Sequence, residues 1–108
     1  MNEVQIPAGR ATLDGNLTIA DGASALVLFV HGSGSSRLSP RNQFVARTLN
    51  NSGLATLLFD LLTPEEELVD TRTAELRFDI DLLAERLVYA TKWARQQEQT
   101  RGLRIGYF

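Results

Sequence analysis

The apolar run Ala25-Leu26-Val27-Leu28-Phe29-Val30 passes without a break into His31-Gly32-Ser33-Gly34-Ser35-Ser36, and the reading of this stretch decides the fold. A strand with one wet face alternates apolar and polar residues, whereas this run is continuous, as expected of a strand buried on both faces in a parallel sheet. The glycines and serines after it form a turn. Ser39-Pro40 then supplies an N-cap residue followed by a proline at the first helical position. Phe44, Val45, Thr48 and Leu49 fall on one helical face, and Gly53 is placed to end that helix in the left-handed conformation.

Working outward, the order of elements extends on both sides. Residues 3–8 and 11–19 read as two strands of an antiparallel hairpin joined at Gly9, with Val4, Ile6, Leu13, Leu17 and Ile19 as apolar members. Asp14-Gly15 could instead mark the turn. Downstream, residues 54–59 make a second buried strand ending at Asp60. Pro64, Glu65, Glu66, Glu67 and Asp70 then read as a solvated acidic loop. Residues 71–97 read as one helix, because Leu76, Ile80, Leu83, Leu87, Ala90 and Ala94 step by four and three along a stripe. Arg77 and Asp81 lie four apart on its flank, and Tyr89 and Trp93 widen its apolar face. A closing strand follows Gly102 over residues 103–108. Strands alternating with helices in this order predict an α/β fold with a parallel sheet, whose ligands bind at the carboxyl ends of the strands.

Composition bounds the function classes. A chain of 108 residues, 44% hydrophobic and 22% charged, fits one compact domain. Eleven Lys and Arg against thirteen Asp and Glu leave a net charge of -2, with no basic excess for a nucleic-acid backbone. With no cysteine, disulfides, thiolate nucleophiles and cysteine metal sites are excluded within the chain. The apolar runs are too short for a spanning helix, and Glu3, Gln5, Pro7 and Arg10 interrupt any secretory leader. The expectation is a cytoplasmic protein with no membrane or nucleic-acid partner. Because His31 is the one histidine, every histidine-dependent mechanism must use it or import a base.

Three readings compete for His31 to Ser36. A glycine-rich turn before a helix can cradle phosphate, but the P-loop pattern needs a lysine that is not here, and Arg37 stands where a dinucleotide fingerprint needs its third glycine. Asp60 would suit a ribose contact. Alternatively, the loop can form an oxyanion hole, pointing a backbone N–H at a carbonyl oxygen that becomes negative during acyl transfer. In the third reading Gly32, Gly34 and the serines merely let the chain turn and cap the helix.

The run Val30-His31-Gly32-Ser33-Gly34-Ser35-Ser36-Arg37 with Ser39-Pro40-Arg41-Asn42, followed by residues 53–63 and by Ile105-Gly106-Tyr107-Phe108, resembles the dienelactone-hydrolase-like group of α/β-hydrolases. The resemblance covers essentially the whole chain. It implies the N-terminal half of the hydrolase sheet, a single partial domain over residues 1–108, with strand order 1-2-4-3-5. It also implies that His31-Gly32 closes the third strand, that the Ser33 N–H is an oxyanion donor and that Gly34 shapes the loop. His31 would then be structural rather than the catalytic base. The Gly-x-Ser-x-Gly nucleophile, the acid and the catalytic histidine of such hydrolases are not in this sequence. The resemblance therefore implies ester or lactone hydrolysis, with no cofactor, only when the chain is completed.

Other groups carry weaker signals. Glu65, Glu66, Glu67 and Asp70 lack calcium-loop spacing, so no metal is expected there. Arg37 and Arg41 could fix a substrate carboxylate, though pairing with the acidic loop is the simpler expectation. An unpaired strand at residues 103–108, ending in Tyr107 and Phe108, is a template for another strand. The expected partner is a second copy of the chain or a complementary C-terminal half. A non-catalytic, self-associating module with a hydrolase-like scaffold is the alternative.

Overall fold

The computed structural model describes residues 2–31 and 35–108. Strands β1 (Asn2–Ala8) and β2 (Ala11–Thr18) form the expected antiparallel hairpin through Gly9 and Arg10. Asp14-Gly15 is not a turn but lies inside β2. Gly15 sits there between Val4 and Phe59, and a Cβ on it would come within 3.2 Å of both the Val4 side chain and the Leu58 carbonyl. Strand β3 (Ala25–Phe29) leads into helix α1 (Pro40–Asn51), whose Ser39 N-cap accepts a hydrogen bond from the Asn42 N–H at 3.4 Å. Gly53, at φ +90°, ends α1 as expected. The Leu54 N–H reaches the Leu49 carbonyl and the Gly53 N–H the Asn50 carbonyl, the paired bonds of a Schellman cap.

Strand β4 (Ala55–Phe59) pairs parallel with β3 and antiparallel with β2, and β5 (Arg104–Tyr107) pairs parallel with β3 on its other side. The five described strands lie in the order β1-β2-β4-β3-β5, as the resemblance implied. Alternate residues of the strands face two helical layers. Leu26, Leu28, Ala55, Leu57 and Phe59 pack with Ile6, Leu13 and Leu17 against Ala90 and Ala94. Phe29 and Leu58 pack on the opposite face against Ala46 of α1. No described helix is long and apolar enough to cross a membrane.

The region between β4 and the last helix departs from expectation. The acidic segment is a helix, α2 (Pro64–Thr73), started by a capping box in which the Thr63 and Glu66 side chains each bond the other's backbone N–H. Nor is residues 71–97 one helix. The chain breaks at Ala74, in the left-handed conformation at φ 57°, makes a short 3-10 turn at Leu76–Phe78, and restarts as α3 (Ile80–Gln96) with Asp79 as N-cap. Asp70 is the physical reason. Its carboxylate accepts from the Leu76 and Arg77 backbone N–H groups at 2.9 Å and pairs with Arg77 Nε at 2.8 Å, offering the backbone partners that a continuous helix would supply otherwise. Arg77 is thus committed to Asp70 in this turn, not set beside Asp81 on a helix flank. Burial raises the Asp70 pKa, but the hydrogen bonds and charge of Arg77, with the Leu76 N–H, outweigh it and hold the carboxyl below its ordinary value.

Candidate functional site

The carboxyl ends of β3 and β4 bring together His31, Asp60 and Leu61, and the residues that lead into α1 join them there. At the end of β3, His31 Nε2 accepts a hydrogen bond from the Leu61 backbone N–H at 3.0 Å. An amide can only donate, so Nε2 carries no proton in this arrangement, and a neutral ring has its proton on Nδ1. Six positions on, the Arg37 backbone N–H donates to Asp60 Oδ1 at 2.7 Å and its guanidinium Nη1 to Asp60 Oδ2 at 2.8 Å. The Asp60 N–H is itself bound to the Asp14 carbonyl of β2 at 2.9 Å, which ties the pair to the sheet. Ser36 completes the approach to α1: its carbonyl accepts from the Ser39 N–H and its Oγ from the Leu38 N–H.

Behind this loop lies a second layer that the sequence reading missed. The Leu61 carbonyl accepts from Arg86 Nη1 at 2.9 Å, and Arg86 grips Glu66 with two bonds, Nη1 to Oε1 at 2.7 Å and Nη2 to Oε2 at 2.8 Å. Leu61 is therefore held at its N–H by His31 and at its carbonyl by Arg86. The Arg86 hydrogen bond is the largest influence on Glu66 and, with the Thr63 amide, outweighs burial to bring its pKa from 4.5 down to about 2. The same contact raises the pKa of Arg86. Two sequence signals pointed here: Thr63-Pro64-Glu65-Glu66 has capping-box spacing, and Arg86 stands in line with Ala90 and Ala94 at steps of four.

The predicted site residues divide accordingly. Gly32, Ser33 and Gly34, to which the oxyanion role was assigned, lie outside the described residues. His31 is half-buried beside the loop. Arg37 pairs with Asp60, not with the acidic segment, in which Glu66 and Asp70 pair with Arg86 and Arg77. Both Asp60 oxygens accept from Arg37, so a ribose hydroxyl there would have to share the carboxylate with that pair. No group of three or more potential metal ligands occurs among the described residues. A cleft of about 650 Å³ opens between the hairpin and α2–α3, lined by residues including Arg10, Asp14, Glu65 and Glu85, and His31 is not part of its wall.

A solved dienelactone hydrolase from Anabaena variabilis superposes on 99% of this chain with a TM-score of 0.97 and 57% sequence identity. The chain is similar over nearly its whole length to part of a dienelactone-hydrolase-like α/β-hydrolase. It has the N-terminal-half architecture of that fold, an antiparallel hairpin followed by parallel strands, and it spans 50% of the length of the Anabaena chain. Est1E from Butyrivibrio proteoclasticus has the same fold, at a TM-score of 0.78 and 15% identity, with 99% of this chain and 40% of that one covered. Among curated proteins, this hydrolase-like chain is 51% identical over 106 residues to a protein of Mycobacterium tuberculosis, known in two strains and provisionally named a phosphoribosyl transferase. The match covers 98% of this chain and 23% of that protein. No family model matches the chain.

Proposed function

We propose that this chain supplies the oxyanion-loop half of a serine hydrolase acting on carboxylic esters or lactones, with nucleophile, acid and base contributed by residues outside it. The observation that carries the reading is the fastening of His31 and Arg37 to Asp60 and Leu61. It brings the start and end of the glycine-serine segment to the carboxyl ends of two parallel strands, where such sheets bind ligands. In this reading the Ser33 N–H is an oxyanion donor, Gly32 and Gly34 allow close approach of backbone to substrate, and His31 fixes the loop without acting as a base. The similarity to dienelactone hydrolase supports this chemistry. Phosphoribosyl transfer is named for an M. tuberculosis protein of which this chain matches 23%.

A second reading has a specific observation in its favour. The outer edge of β5 has no strand beside it among the described residues, and Tyr107 and Phe108 are about half exposed there. A complementary hydrolase half would cover that edge, and so would a second copy of the chain, which makes a non-catalytic self-associating module the alternative. Treatment of the purified protein with a fluorophosphonate, followed by intact-mass spectrometry, separates the two. A tag on a co-purifying polypeptide bearing Gly-x-Ser-x-Gly is the result expected of the hydrolase half. An unmodified chain in a homo-oligomer by light scattering favours the module, and a tag on this chain itself overturns the role given to His31.

A further inference from the structure

The segment from His31 to Arg37 is fastened at both ends to two consecutive residues, Leu61 at its start and Asp60 at its end. The first link is a single neutral hydrogen bond. The second is a charge-assisted pair made by one residue's backbone and side chain together, the stronger and more directional kind. The pair is well shielded, with side chains 20% and 16% exposed. Arg37 Nε is buried and has no hydrogen-bond partner among the described residues. A buried donor left unmade is destabilising, and a lysine at this position would keep the positive charge without that N–H.

We propose that Arg37 and Asp60 are positioning residues of the oxyanion loop: their clasp fixes the far end of the loop against Asp60-Leu61 and thereby holds His31 at the near end as an acceptor. The inference deepens the hydrolase reading and rests on it for the word oxyanion, but the clasp itself is tested without any activity. Its physical content is cooperativity. Since the two links grip adjacent residues, releasing the Asp60 side chain leaves this junction held by the Asp14 carbonyl and Arg86 alone, and the Leu61 amide then loses part of its alignment with His31 Nε2. Arg37→Lys keeps the backbone donor and alters only the side-chain half of the clasp, exchanging a planar guanidinium with fixed donor directions for a rotatable ammonium.

The experiment uses the full chain and its one histidine, whose ring nitrogens give an unambiguous NMR signature. In the unaltered protein the ring is expected as the Nδ1–H tautomer, with slow hydrogen exchange at the Arg37 and Leu61 amides. Asp60→Ala is expected to speed exchange at Arg37 by about tenfold or more and to speed it at Leu61 as well, while the tautomer preference of His31 weakens. Arg37→Lys is the control for folding. It is expected to leave exchange in β4 unchanged yet still loosen Leu61 and His31, whereas a purely stabilising role predicts a neutral or slightly stabilised protein with His31 undisturbed. Unchanged Leu61 exchange and an unchanged His31 signature in both variants would overturn the proposal. A fluorophosphonate result against the hydrolase reading would remove the loop's catalytic meaning and leave the clasp to stand or fall on these NMR outcomes.

Discussion

β3 has a parallel neighbour on each side, and the two have opposite fates. β4 is buried at every position, with β2 beyond it and helical layers over both faces. β5 is, with β1, one of the two edges of the described sheet, and in it Ile105 alone is partly covered while Arg104, Gly106 and Tyr107 are exposed. Their apolar content differs less than their burial does: Ala-Thr-Leu-Leu-Phe in one, Arg-Ile-Gly-Tyr followed by Phe108 in the other. Burial here is conferred by neighbours more than by strand propensity, which itself measures how well side chains fit a half-covered surface. The sharpest way to break the comparison is Phe59→Ala in β4. Phe59 is fully buried, packed within the face that α3 covers, and its truncation leaves a cavity that the sheet cannot close. A loss of about 3–5 kcal/mol is expected in urea unfolding. A loss below about 1 kcal/mol would mean that β4 is not the centre of the core.

A smaller effect tests how the end of β4 is anchored. Arg86→Met removes both bonds to Glu66 and the bond to the Leu61 carbonyl. Glu66 keeps some access to water, with its side chain 27% exposed, so the cost is expected at about 2 kcal/mol rather than at the full value for a buried pair. The pH dependence gives a second readout. With the Glu66 carboxyl lowered from 4.5 to about 2 in the folded protein, its stabilisation is complete above pH 4.5 and is lost as pH falls toward 2. In the Arg86→Met protein this part of the acid loss should disappear, so the urea midpoints of the two proteins converge between about pH 6 and about pH 3. Parallel pH curves would show that the pair does not hold this corner.

The same contrast explains what was legible in the sequence. The hairpin, the two buried strands and α1 are specified by neighbours in sequence: Ser39-Pro40 and Gly53 mark the ends of α1, and continuous apolar runs mark β3 and β4. The strand order came from family resemblance, since local patterns do not encode which strands pair. α2 is hidden in the sequence because Glu65, Glu66 and Glu67 fit a solvated loop and a helix's first turn alike. The apparent stripe through Leu76 and Ile80 extended the last helix too far, because periodicity cannot see the Asp70 carboxylate capturing the next backbone turn. In the site, His31 and its loop were found from the glycine-serine motif. The partners of Arg37 and Arg86 were not, since Asp60 and Glu66 lie 23 and 20 positions away and the choice among several carboxylates is made by the fold.

The smallest expected effect is at the open edge, and its size depends on what lies beside it. The Phe108 ring sits 5.1 Å from that of Phe29, tilted by 40°, and its backbone bonds Leu28 and Val30, but about half of the residue faces solvent. Phe108→Ala keeps the backbone bonds and removes one partly exposed aromatic contact, so in a monomer it is expected to cost about 1 kcal/mol or less. If another strand seats on β5, the same side chain becomes part of that junction, and the loss must then grow with protein concentration, because association stabilises the folded state by mass action. Unfolding the original and altered chains at several concentrations, with light scattering at each, tells the cases apart. A constant difference below about 1 kcal/mol would confine Phe108 to its contact with Phe29. A widening difference would show that β5 resembles β4 after all and acquires its second neighbour from another chain.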